Sequence, residues 1–99
     1  MRRICFLLFG IVSLISAESY GKATISGYVR DAASGEALIA ANVIIEELGT
    51  GTSTNEYGFY ALSLEPGTYT LIFSYVGYAT VSKIIDLSGE MVLNMELSE

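Results

Sequence analysis

The side chains best equipped for chemistry in this chain are carboxylates and tyrosines. Histidine is absent from all 99 residues, and the one cysteine is Cys5. A hydrolytic zinc centre draws on histidine and carboxylate ligands. A serine or cysteine nucleophile is usually activated by an imidazole base. With no histidine neither set can be assembled, so the chain is expected to be non-catalytic and to carry no cofactor. Asp31, Glu36, Glu46, Glu47 and Glu56 are the candidates for a calcium site. Calcium loops bring several oxygens together, commonly as alternating acids in one loop. No loop here has that spacing, so these acids are read as a solvated surface and no metal site is expected.

The aromatic residues give a different kind of candidate. Tyr57, Phe59 and Tyr60 cluster just after a turn. Strand alternation sends Tyr60 inward and leaves Tyr57 and Phe59 outward. An exposed aromatic pair can stack on a sugar or anchor a protein partner. The plainer reading is packing against strand ends or a neighbouring domain. Tyr57 and Phe59 are therefore the candidate partner or ligand surface. A third idea is that a partner adds a strand to a free sheet edge, with Thr50–Thr54 as that edge.

These residues sit on strands. The most strongly periodic stretch is GTYTLIFSYVGY, residues 67–78. Tyr69, Leu71, Phe73 and Tyr75 share one face of an extended chain, the signature of a strand with one face on a core. Pro66-Gly67 starts it and Gly77 marks its far end. It is expected to be the central strand. Before it, residues 23–30 alternate, with Ile25, Gly27 and Val29 on one face. Asp31 to Glu36 is turn chemistry, with an Asp able to bond its own backbone. Ala37 to Ala41 is a small-residue connector. Ala41, Val43 and Ile45 lead a second strand, and Thr50–Thr54 is a short third one. Asn55-Glu56-Tyr57-Gly58 reads as a tight hairpin turn, with Gly58 free to take positive φ. Tyr60, Leu62 and Leu64 mark the next strand. Ala79–Leu87 reads as an edge strand guarded by charge. The last strand places Met91, Leu93, Met95 and Leu97 inward. Seven short strands without a convincing helix suggest an all-β, seven-stranded antiparallel β-sandwich, with a closed barrel as the alternative.

The chain begins differently. Arg2 and Arg3 precede an apolar run from Ile4 to Ser16, then small residues. This has the form of a secretory signal peptide over residues 1–19, with cleavage before Tyr20; an uncleaved anchor helix is the alternative. Residues 20–99 would then be the mature domain, free of cysteine and resting on its apolar core alone. In it Lys22, Arg30 and Lys83 face ten carboxylates, a net charge of −7. That argues against nucleic acid and anionic lipid as partners.

Residues 24–45, TISGYVRDAASGEALIAANVII, and 51–78, GTSTNEYGFYALSLEPGTYTLIFSYVGY, resemble the carboxypeptidase-regulatory-like domain. The likeness is carried by Gly27 and Val29, Asp31 with Gly35-Glu36, and Ala41-Asn42-Val43. It continues through Gly51-Thr52, Thr54-Asn55, Gly58, Tyr60, Gly67, Tyr69, Leu71, Ser74-Tyr75 and Gly77-Tyr78. The resemblance implies a transthyretin-like, seven-stranded sandwich. It also implies a place at the N-terminus of a TonB-dependent outer-membrane receptor of the Bacteroidetes, directly after a signal peptide. On that reading the module lies in the periplasm and its partners are periplasmic proteins or the rest of the receptor. The plug and barrel of such a receptor would follow Glu99; the alternative is a free-standing exported binding module, with glycans as ligands. The connector Ala37-Leu38-Ile39-Ala40 departs from the family, which often has proline or Pro-Gly there.

Overall fold

The computed structural model describes residues 22–99, and the expected signal peptide lies outside them. Eight strand segments follow one another: β1 (Ala23–Asp31), β2 (Asn42–Ile45), β3 (Thr50–Ser53), β4 (Phe59–Leu64), β5 (Gly67–Ser74), β6 (Val81–Leu87), β7 (Met91–Val92) and β8 (Met95–Leu97). β7 and β8 are two halves of the expected last strand, which gives the seven strands of the sequence reading. One sheet runs β4-β1-β7, with β8 also paired to β1; the other runs β3-β2-β5-β6. Their inner faces pack together as a β-sandwich.

β1 buries Ala23, Ile25, Gly27, Val29 and Asp31 and turns Arg30 out to solvent. This is the period-two pattern of a strand with one face on the core. β5 lies between β2 and β6, as expected of the central strand. Its Leu71 and Phe73 are completely buried, while Tyr69 is half-buried. The Tyr60 and Phe73 rings meet edge-to-face at 5.7 Å, joining the two sheets. Ile25, Val29, Val43, Ile45, Leu87 and Leu97 complete the innermost core.

Four features differ from the sequence reading. First, β5 ends at Ser74, three residues short of the expected end at Gly77. Gly77 adopts φ 87° and the chain turns there, with the Tyr78 amide donating to the Tyr75 carbonyl at 3.0 Å. Second, Asn55–Gly58 is a tight turn but not a hairpin. β3 pairs with β2 and β4 pairs with β1, so the turn carries the chain from one sheet to the other. Third, β1 pairs in parallel with β7 and β8, whereas every other pair is antiparallel. Fourth, the last strand is interrupted at Leu93–Asn94. A Cβ on Gly27 would collide with the Leu93 carbonyl, so the missing side chain lets that backbone press inward. There the Tyr60 hydroxyl donates to the Leu93 carbonyl at 2.6 Å. The Asn94 side-chain oxygen fills the gap in the ladder by accepting from the Tyr28 amide at 2.9 Å.

The connector forms no helix. Ala37 makes an isolated bridge with Arg30, and Ala40 adopts φ 64°. Buried Thr54 pins this segment. Its Oγ accepts from the Ala41 amide at 2.9 Å and donates to the Leu38 carbonyl at 2.5 Å. These bonds satisfy buried backbone groups that irregular chain would otherwise leave orphaned.

Candidate functional site

Asn55 builds the turn that carries Tyr57. Its side-chain oxygen accepts from the amides of Tyr57 and Phe59 at 2.8 and 3.0 Å. Gly58 closes the turn at φ 78°, where an added Cβ would lie 2.7 Å from the Val29 carbonyl. Tyr57 is thereby held out in solvent, 66% exposed. Phe59 begins β4 opposite Tyr28 on β1, and its ring meets Tyr28 edge-to-face at 5.2 Å. The Arg30 guanidinium stacks over the Tyr28 ring at 4.7 Å.

The two sequence candidates therefore have different surroundings. Tyr57 stands free, while Phe59 is half-buried in a strip made of Phe59, Tyr28 and Arg30. Tyr28 and Arg30 are not among the sequence candidates. Their outward register on β1 was readable, and the pairing of β1 with β4 turns that register into a contact. The strip can offer an aromatic face and one cation to a ligand. It is a shallow surface on the outside of a sheet.

The acidic residues are dispersed. Asp31 is 8% exposed and closes its own turn. Its Oδ2 accepts from the Ser34 amide at 2.7 Å, the Ser34 hydroxyl at 2.9 Å and the Ala33 amide at 3.0 Å. The Tyr78 hydroxyl also favours the ionised form of this carboxylate, which couples the 75–78 turn electrostatically to the 31–36 turn. The Ser34 backbone bond first, then the Tyr78 hydroxyl, hold the Asp31 carboxyl below its ordinary range. The same carboxylate pushes the Tyr78 hydroxyl up to about 12. Burial alone pushes Tyr60 up to about 12. Glu47 accepts from the Thr70 amide at 2.8 Å and the Thr70 hydroxyl at 2.9 Å, and the backbone bond chiefly lowers its carboxyl. Glu36, Glu46 and Glu56 are exposed. Among the described residues no three acidic side chains are placed to hold a metal ion, and no helix is long and apolar enough to cross a membrane.

The comparisons with known proteins agree with this architecture. A family model described as the CarboxypepD_reg-like domain matches residues 25–99, and the chain belongs to that family. It is a regulatory-like β-sandwich domain. A carboxypeptidase D from Anas platyrhynchos is 34% identical over 59 residues, which are 60% of this chain and 4% of that protein. The chain thus spans a small fraction of the relative it matches. Among solved structures, a chain of a type II cohesin–X-dockerin complex from Acetivibrio cellulolyticus superposes with a TM-score of 0.63. It is 20% identical, and the match covers 74% of this chain and 52% of that one. A DUF3823 family protein from Bacteroides ovatus gives 0.61 at 20% identity, over 77% of this chain and 43% of that one. Another from Parabacteroides merdae gives 0.58 at 19% identity, over 78% and 46%. At these identities the likeness shows the sandwich fold alone.

Proposed function

We propose that this chain is a non-catalytic contact and regulatory module, exported to the periplasm at the N-terminus of a TonB-dependent outer-membrane receptor. The observation that carries the reading is the family match over residues 25–99, preceded within a few residues by a stretch, 1–19, with the form of a secretory leader. The polar groups support a structural rather than a reactive role. Asp31 is committed to its turn and Tyr60 to the Leu93 carbonyl, and Tyr78 feels the Asp31 charge. Both tyrosines are held further from ionisation than a free phenol, which is the wrong direction for a nucleophile or base at neutral pH. Fractionation of cells expressing the intact gene tests export. The mature chain is expected in the periplasmic or outer-membrane fraction with Tyr20 as its first residue; a full-length cytosolic chain starting at Met1 would contradict it.

A second reading is a free-standing exported glycan-binding module, favoured by the exposure of Tyr57 beside the Tyr28–Phe59 strip. Titration with oligosaccharides decides it. Binding lost in Tyr57→Ala supports this reading, and a Tyr57→Ala variant matching the parent removes it.

A further inference from the structure

The sandwich has two sides, and only one of them is guarded against strand addition. On one side the edges are β6 and the broken last strand, β7–β8. β6 carries Lys83 in the core-facing register, opposite Leu71, and Asp86 beyond it. Lys83 is nonetheless exposed, and a charge in that register on an edge strand is a recognised block to further pairing. The last strand is interrupted where Asn94 takes the place of backbone in the ladder, and it carries Glu96. On the other side lie β3 and β4, packed beside each other. Their sequences, TGTS and FYALSL, contain no charge and no proline.

The hydrogen-bond parity of β4 identifies its free groups. Val29 donates to the Gly58 carbonyl, so residue 58 faces β1. In an antiparallel ladder the facing alternates, so Tyr60, Leu62 and Leu64 also bond toward β1. Phe59 faces the other way, but Asn55 satisfies it. Its amide donates to the Asn55 side chain and its carbonyl accepts from the Asn55 amide. Ala61 and Ser63 remain, exposed, with both amides and both carbonyls aimed away from the sheet. That is the spacing an added antiparallel strand requires.

We propose that the β4 edge is a docking site for an extended segment of a partner protein, uncharged at its centre and flanked by lysine or arginine. This inference rests on the reading of the domain as a contact module and names the surface that makes the contact. Charge selects the occupant. Exposed Glu56 and Glu65 bracket β4, and the described residues are strongly acidic. A second copy would bring acid against acid; a basic-flanked strand meets complementary charge.

The test is a titration of the isotope-labelled full chain, followed by amide chemical shifts. The probe is a short peptide of alternating valine and threonine with a lysine pair at each end. The amides of Ala61 and Ser63 are expected to shift most. Ala61→Pro removes one outward donor at a position where an edge strand tolerates proline. It is expected to weaken binding by about tenfold or more. The double variant Glu56→Gln/Glu65→Gln leaves the backbone intact and decides the matter if the proline variant fails to fold. It is expected to weaken the lysine-flanked peptide and to leave unchanged the binding of the same peptide with serine flanks. Shifts confined to β3 or β6, or no shifts at all, would overturn the β4 assignment. A concentration-dependent dimer perturbed at Ala61 and Ser63 would overturn the choice of occupant. Binding at β3 would leave the contact-module reading standing, whereas a cytosolic chain would overturn that reading without touching the edge.

Discussion

At the scale of single residues, most of the polar chemistry goes into holding turns. The Asp31 carboxyl is held below the ordinary carboxylate range because the folded state supplies donors to its anion. A depressed folded value stabilises the fold above the unfolded pKa, and this contribution fades as pH falls below about 3.8. Glu47 acts in the same direction. Tyr78 is the opposite case. Its raised value means the protonated hydroxyl favours folding; that contribution is complete below pH 10 and is lost as pH rises toward about 12. Melting temperature against pH is therefore expected to fall at both ends, with Asp31→Asn flattening the acid arm and Tyr78→Phe the alkaline arm. Tyr60→Phe leaves the Leu93 carbonyl without its hydroxyl partner and is expected to cost about 1 kcal/mol by chemical denaturation. Gly27→Ala drives a methyl into the Leu93 backbone; its expected cost is about 1–3 kcal/mol.

At the scale of elements, the sequence speaks clearly where one face is buried and falls silent where topology decides. The alternation in β1 and β5 is legible because a one-residue slip would turn Ile25, Val29, Leu71 and Phe73 out into water. The Asp31 turn is legible too, since an aspartate followed by Ser34 has a local bonding pattern of its own. The change of sheet at residues 55–58 is not. Asn55 and Gly58 make the same tight turn whether or not the strands beside them pair. The break at Leu93–Asn94 leaves the inward–outward pattern almost untouched, so the alternation hides it. Tyr57 and Phe59 were readable as outward-directed, but the Tyr28–Arg30 surroundings of Phe59 depend on which strand β4 joins. Two substitutions test the packing of these elements. Leu71→Ala should cost about 2–5 kcal/mol, because the residue is completely buried, and Tyr69→Ala less, because that ring is half-exposed. Thr54→Val strips the Ala41 amide and Leu38 carbonyl of their shared partner, and a loss of about 1–3 kcal/mol is expected.

At the scale of the whole molecule, the domain is a sandwich stapled by backbone and tyrosine hydrogen bonds, with charge on the edge strands of one side and none within the edge strands of the other. The first and last strands pair in parallel, so the N- and C-terminal ends of the described chain lie in the same sheet. A module of this shape can be appended to a larger protein while its β3–β4 side stays open. The family match and the form of residues 1–19 support the proposal that the larger protein is an exported outer-membrane receptor. The most direct test is to read the coding sequence past codon 99 in the native gene. An open frame is expected to continue for several hundred codons into a plug segment and then a long series of alternating, barrel-forming strands. A stop at codon 100 would contradict it.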